Sequence, residues 1–443
     1  MKIQLSEHFT YSKLLRFTLP TIAMMIFTSI YGVVDGIFVS NFVGKTSFAA
    51  VNLIMPFLMI LGTLGFMLGA GGSAIVSKTL GEGDKDRANR YFSMIVYLAL
   101  ICGITLSVIG WCFIRPASIL LGADESMLGD CVLYGRIILI ILPAFILQNI
   151  FQSFLVTAEK PHIGLALTVI AGVTNMILDF LFVVLFKWGV AGAAIATGIS
   201  QIVGGVIPFV YFLRKNTSTL RLTKTRFEGR VILKTCTNGS SEMLSNISMS
   251  LVSMLYNFQL MKLAGENGIA AYGVIMYINF IFTGVFFGYA IGSAPIIGYN
   301  YGAANHSELK NIFKKSLCSI AAASILLTSL ALILSQPLAK IFVGYDSELL
   351  ALTCRGFRIY TLSFLIMGFN IFSSSFFTAL NNGAISAIIS FLRTLVFQVF
   401  PVLLLPVAIG TDGIWLAIVV AELFALAVSV IFFIKKKNVY HYI

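Results

Sequence analysis

Apolar runs, each long enough to cross a bilayer, recur from one end of the chain to the other. A membrane-spanning helix needs about 20 such residues. The requirement is met twelve times, over approximately 14–40, 49–77, 91–113, 132–157, 163–186, 190–213, 235–262, 269–299, 312–334, 357–379, 384–408 and 412–434. Backbone in hydrocarbon must satisfy its own hydrogen bonds, which leaves helices or closed barrels. Barrel strands would alternate over about 10 residues, so continuous runs select helices. The expected fold is an all-α polytopic membrane protein with no room for a soluble domain. Composition agrees, since 11% of the 443 residues are charged against about 25% in soluble chains.

The net charge of +12 raises nucleic acid as a partner, and its placement rejects it. Lys and Arg at 2, 13, 16, 78, 85, 87, 90, 160, 214, 215, 221, 224, 226, 230, 234, 310, 314, 315 and 435–437 fall on one side of the twelve-span order. The other side receives 45, 115, 136, 187, 262, 340, 355 and 358, with Arg393 inside a span. Cytoplasmic loops carry such an excess, so both termini are expected in the cytoplasm. The start "MKIQLSEHFTYSK" has no short apolar core with a small-residue cleavage site, and the first span is expected to serve as its own insertion signal. The six cysteines (102, 112, 131, 236, 318, 354) show no metal spacing and suit apolar packing.

The chain also repeats itself. "FAAVNLIM" (48–55) returns as "IAAYGVIM" (269–276), "NIFQSFLVTA" (149–158) as "NIFSSSFFTA" (370–379), and "GVAG" (189–192) as "GTDG" (410–413), all at an offset of 221 residues. Gly81 maps onto Gly302 by the same shift. Six spans per half return the chain to its starting side, so the repeats are expected to be parallel, as in one class of transporters. The expected division is a first lobe over 1–213, a basic linker over 214–234 and a second lobe over 235–443, meeting at a central cleft.

Carboxylates inside the spans are few: Asp35, Asp179, Glu242 and Glu422. Such residues are costly in a bilayer and mark functional sites by default. Tyr31 precedes Asp35 by one helical turn, Asn175 precedes Asp179 likewise, and Thr197 and Gln201 repeat the spacing on the next span. A pocket with these oxygens suits a proton or a hydrated Na⁺, because hard cations take oxygen ligands. The alternative is a helix–helix hydrogen-bond network without ion traffic. Shifted by 221, Asp35, Asn175, Asp179 and Thr197 become Tyr256, Val396, Phe400 and Ile418, so the second half has lost these polar groups. It offers instead aromatic residues, Tyr256, Phe258, Tyr272, Tyr277, Phe280, Phe282, Phe286, Phe287 and Tyr289, whose faces can attract organic cations or simply pack. Glu242 reads either as part of a second cation or substrate site or as a solvated first-turn acid. Glu422, the counterpart of Gln201, reads as a packing group, and Arg393 is expected to pair with a carboxylate or carbonyls. The substrate cavity is expected to include Gln152, Asn149, Gln201, Tyr256 and Phe287. Pro20 and Pro143 each free a carbonyl and suit kinks or hinges.

No GxxxxGK[ST] loop is present to bind ATP phosphates, "GAGGSA" (69–74) suits close helix packing, and no HExxH or nucleophile–base pair points to an enzyme. No cofactor is expected. The stretches "LPTIAMMIFTSIYGVVDGIFVSNFVG", "FAAVNLIMP", "GSAIVSKTLGEGD" and "NMILDFLFV" resemble the MATE (multidrug and toxic compound extrusion) transporters, and the likeness spans the chain. Among branches the likeness is greatest to the bacterial MepA-like group. The resemblance implies antiport of small cationic, amphipathic compounds against H⁺ or Na⁺ by a monomer in the bacterial inner membrane. Asp35 and Asp179 match the paired acids, Asn175 and Thr197 their polar partners, Tyr31 the tyrosine beside the first acid, and Pro20 the proline where the first helix bends. Na⁺, where used, is implied at Asp35, Asp179, Asn175 and Thr197. Glu242 matches a glutamate used by other branches together with a tenth-helix aspartate, which "GFNIFSSSFF" lacks. A lipid-linked precursor flippase would need several cleft arginines for pyrophosphate, and a membrane sensor would add an output domain; neither feature is found.

Overall fold

The computed structural model describes residues 3–443, the side chains of Ile37, Ser40 and Lys45 excepted. Lys2 and the Lys45 side chain, counted in the charge asymmetry, therefore lie outside the described residues. Among these residues there is no strand, and twelve helical spans follow one another. They are α1 Tyr11–Phe42, α2 Lys45–Gly81, α3 Lys85–Leu120, α4 Glu125–Thr157, α5 Pro161–Leu185 and α6 Gly189–Leu213. The stretch Gly229–Gly302 turns at Gly265 (φ 59°, ψ −148°) and so makes two spans, α7 (229–264) and α8 (266–302). The rest are α9 His306–Val343, α10 in two segments, Ser347–Thr361 and Phe364–Ala379, α11 Gly383–Ile409 and α12 Thr411–Tyr440.

Short polar side chains open many of these helices. Thr10, Asp84, Asp124, Asn305, Asp346 and Asn382 each accept a hydrogen bond from a backbone N–H of the following first turn, satisfying donors the helix cannot. The segments of α10 meet at 50°. The expected kink at Pro143 belongs to a continuous α4, and the bend lies in the other half, at residues 362–363 just before Phe364, the repeat counterpart of Pro143.

The turns show the repeat directly. Left-handed residues pair as Gly44 with Gly265, Gly83 with Ala304, and Gly189 with Gly410, each 221 apart. Glu159 and Asn381, also left-handed, are 222 apart. The segment from Glu159 to Gly189 is thus one residue longer than its counterpart from Asn381 to Gly410. Both contain π-helical stretches, at Phe180–Leu185 and Leu392–Val396. Counted from the Glu159 turn, Asp179 corresponds to Pro401 rather than Phe400. Burial agrees: Asp179 is 0% exposed and Pro401 is buried, whereas Phe400 is 61% exposed. Either partner is apolar.

Residues 214–228 are not a free tether. Arg221 N–H donates to Asn89 Oδ1 (2.9 Å), Thr223 N–H to Ser93 Oγ (2.8 Å), and Thr225 Oγ1 donates to the Arg90 carbonyl (2.9 Å), laying the segment along α3. Because α7 starts at Gly229, residues 229–234 of the expected linker are already helical.

One apolar cluster is drawn from α1–α6 and another from α7–α12. A third gathers Leu5, Phe9, Leu14 and Phe17 with Phe313, Phe376 and Tyr442, at the end of the bundle where both termini lie. Here the halves also meet through glycines. A Cβ on Gly81 would stand 2.0 Å from the Tyr299 carbonyl oxygen, and one on Gly302 would stand 2.0 Å from that of Lys78. Gly71 and Gly239 likewise seat α2 on α7, and Gly288 and Gly292 seat α8 on Ile22, Thr21 and Thr18 of α1. Bare α-carbons let helix backbones touch where any side chain would hold them apart.

Candidate functional site

The first-half acids are brought together by the crossing of α1 and α5. Gly172 permits it, since a Cβ there would lie 2.6 Å from the Phe27 ring and 2.9 Å from that of Tyr31. One turn beyond Tyr31, Asp35 comes within interaction distance of Asp179 and Asn175 on α5. Immediately after Asp179 the helix widens into its π stretch, a feature frequent at functional sites. Asp179 and Asn175 are 0% and 2% exposed.

Their polar atoms are poorly satisfied. Asp35 Oδ1, both Asp179 oxygens, both Asn175 amide atoms, Thr197 Oγ1 and Gln201 Oε1 are buried with no hydrogen-bond partner of good geometry. α6, which carries the last two, packs on both α5 and the π stretch. A purely structural network would join these groups by direct bonds, because an unsatisfied buried polar group costs about 1–3 kcal/mol. What the arrangement offers is a cluster of oxygens of the kind that takes a proton or a hard cation. Tyr134 of α4, 2% exposed, lies within electrostatic reach of both acids. Sequence reading passed over it, since a tyrosine in a membrane helix reads first as an interface anchor.

The second half is built differently. Arg393 Nε donates to both oxygens of Glu422, at 2.9 and 3.0 Å. Asn370 Nδ2 donates to Glu422 Oε2 (2.7 Å) and to the Glu422 carbonyl (2.9 Å), and Ser429 Oγ donates to Asn370 Oδ1 (3.1 Å). Arg393 does pair with a carboxylate, as its position suggested, and Glu422 is locked into packing. Glu242 is not a first-turn acid: α7 begins at Gly229, about 20 Å earlier along the helix. It lies within electrostatic reach of Arg393.

The expected cavity residues occupy separate places. Gln152 lines a small cavity of the first half with Gln148, Gly164 and Thr168. Asn149 sits in the α2–α4 seam against Gly65 and Gly69, with Nδ2 donating to the Phe145 carbonyl. Gln201 borders the acid cluster through α6. Tyr256 stacks on Tyr272 (5.0 Å, 8°) deep in the second core, and Phe287 packs against the same core. Phe258 and Phe280 are 58% and 46% exposed, so the aromatic residues do not form one continuous wall. Pro20 is buried in an unbroken α1, beside the contacts of Thr18, Thr21 and Ile22 with the glycines of α8.

The MatE family model matches this chain in two stretches, residues 20–181 and 243–403. The chain belongs to the MATE family. The double match falls on the two halves that the turn geometry relates. This MATE protein is similar to "Multidrug export protein MepA" of Staphylococcus saprophyticus, 25% identical over 429 residues covering 96% of this chain and 94% of that one. A protein of the same name from Staphylococcus aureus is 23% identical over 431 residues, again 96% and 94% of the two chains. A solved structure described as the outward-facing conformation of a multidrug resistance MATE family transporter superposes with a TM-score of 0.92 at 23% identity, covering 98% of this chain and 97% of that chain. The fold is therefore that of MATE transporters, and the chain is a multi-pass membrane protein.

Proposed function

We propose that this MATE-family protein is a secondary active multidrug exporter, moving cationic amphipathic compounds outward in antiport with H⁺ or Na⁺. It works as a monomer in the bacterial plasma membrane with both termini in the cytoplasm. The observation that carries the reading is the set of buried, unpartnered oxygens on Asp35, Asp179, Asn175 and Thr197, opposed to the second half's Glu422, whose carboxylate is paired with Arg393. The names of the MepA relatives support export of drugs. The basic residues on the terminus-bearing side support the orientation.

The glycine seam joins the halves at the terminus-bearing end, which in this orientation is the cytoplasmic side. Asp35 and Asp179 lie toward the outer ends of α1 and α5. A coupling ion entering from outside reaches them first and neutralises two adjacent carboxylates whose mutual repulsion a cationic substrate otherwise relieves. Ion and substrate thus compete for one charge deficit, and α1 adjusts around Pro20, whose missing N–H leaves the Arg16 carbonyl without its helical donor. Differential affinity of each ligand for the two states gives exchange its direction. Arg393, being committed to Glu422, is not available for the pyrophosphate of a lipid-linked precursor.

Efflux of a fluorescent organic cation from proteoliposomes, with proton and sodium gradients imposed separately, tests the proposal. Wild type should respond to one gradient, and Asp35→Asn and Asp179→Asn should each reduce that response at least tenfold at equal protein incorporation. Gradient-driven efflux surviving both substitutions would sink the model.

A further inference from the structure

The turns that pair Gly44 with Gly265 and Gly189 with Gly410 make the two half-bundles directly comparable. Gln201 of α6 corresponds to Glu422 of α12, and Asn149 of α4 to Asn370 of α10. Arg393 of α11 stands level with Ala171 and Gly172 of α5. In the first half this level is occupied by small residues, with the Tyr31 ring against Gly172. In the second half it holds a guanidinium bound to a fully buried carboxylate, with side-chain exposures of 13% and 0%.

We infer that Arg393 is a tethered cation that does for the buried Glu422 carboxylate of the second half what a mobile coupling ion does for the acids of the first, and so restricts ion exchange to Asp35 and Asp179. This rests on the proposed first-half ion site and adds to it the reason the second half takes no ion. Glu422 has its charge matched by Arg393 and its oxygens donated to by Arg393 and Asn370. The Asn370 carbonyl oxygen is in turn held by Ser429. These bonds leave no free carboxylate oxygen on Glu422 for an incoming cation, whereas both Asp179 oxygens are buried without a hydrogen-bond donor. Glu242 of α7, Tyr256 of α7 and Tyr360 of α10 are the other titratable groups within electrostatic reach of the pair, and none supplies a second positive charge. An arginine never deprotonates in a protein, so the pair presents the same charge in every transport state. Arg393 is accordingly a specificity-determining residue for ion number, not a group that touches the transported ion.

Thermal unfolding of detergent-purified protein reads this out, titrated with NaCl at constant ionic strength and separately from pH 8 to pH 6. Ion binding to the folded state raises the melting temperature. Asp35→Asn/Asp179→Asn should be silent to both ions. Adding Arg393→Gln should restore a rise of a few degrees, because Glu422 then needs a mobile cation, and further adding Glu422→Gln should abolish it. Arg393→Lys in the same background should stay silent. The inference is overturned if Asp35→Asn/Asp179→Asn keeps an ion response that Glu422→Gln or Glu242→Gln removes. It is equally overturned if the folded Arg393→Gln variant in that background stays silent. Should Arg393→Gln not fold, the comparison of Asp35→Asn/Asp179→Asn with and without Glu422→Gln still decides. Failure of the first-half site itself would show separately, as gradient-driven efflux in proteoliposomes that Asp35→Asn and Asp179→Asn leave intact.

Discussion

Gly302 of α8 lies bare against the carbonyl of Lys78 on α2, so close that an added Cβ would stand 2.0 Å from the oxygen. The repeat supplies the reciprocal contact, Gly81 against Tyr299. Two backbone-on-backbone contacts related by the repeat hold the terminus-bearing ends of the halves together. Gly302→Ala must push α8 off α2, since a backbone carbonyl cannot swing aside as a side chain can. Overpacking of this kind costs about 1–3 kcal/mol. The expected outcome is a lower melting temperature and faster maleimide labelling of Cys236, which sits on α7 between the seam residues Thr235 and Gly239.

Thr197 and Asn175 separate an ion site from a packing network. Thr197→Val removes a buried hydroxyl that has no partner, so stability should hold or rise slightly. Affinity for the coupling ion should nevertheless fall about three- to tenfold, up to about 1.4 kcal/mol. The ion concentration for half-maximal efflux, measured beside the melting curve, checks both. A structural role would lower the melting temperature and leave the ion affinity alone.

Arg393 and Glu422 are expected to be strongly coupled. Arg393→Met or Glu422→Leu alone strands a buried charge, at a cost of about 3–5 kcal/mol where no mobile ion compensates. Together the two substitutions should recover most of that loss, because an apolar pair of similar volume replaces an ion pair with little penalty. A double-mutant cycle on melting temperature measures the coupling, and additive losses would contradict it.

The segment before α1 acts as a strap between the halves. Leu5 N–H donates to Glu159 Oε1 (2.9 Å) at the α4–α5 turn, and Phe9 N–H donates to Glu308 Oε1 (2.9 Å) on α9. Glu308 Oε2 also contacts His8 Nδ1 at 2.6 Å, and Lys315 and Asn311 donate to the Phe9 carbonyl. Parting the halves at this end would break these bonds. Glu308→Gln weakens charge-assisted bonds worth about 1.5–3 kcal/mol each and should raise Cys236 labelling from the terminus-bearing side.

Span number, parity and the repeat were legible in the sequence because the bilayer imposes its own length and polarity on every helix, independent of neighbours. The acids were legible for the same reason, as Asp35 and Asp179 stand out wherever hydrocarbon is the solvent. Other features depended on how helices meet. The one-residue difference between the segments from Glu159 to Gly189 and from Asn381 to Gly410 arises between turns and across π stretches, which a residue pattern does not register, and it moves the counterpart of Asp179 to Pro401. Tyr134 joined the acids only when α4 was placed. The contrast between open oxygens around Asp179 and the closed pair of Arg393 with Glu422 was likewise decided by packing. Hydrogen bonding acts over about 3 Å, and residues 29 positions apart reach that distance only through the tertiary fold.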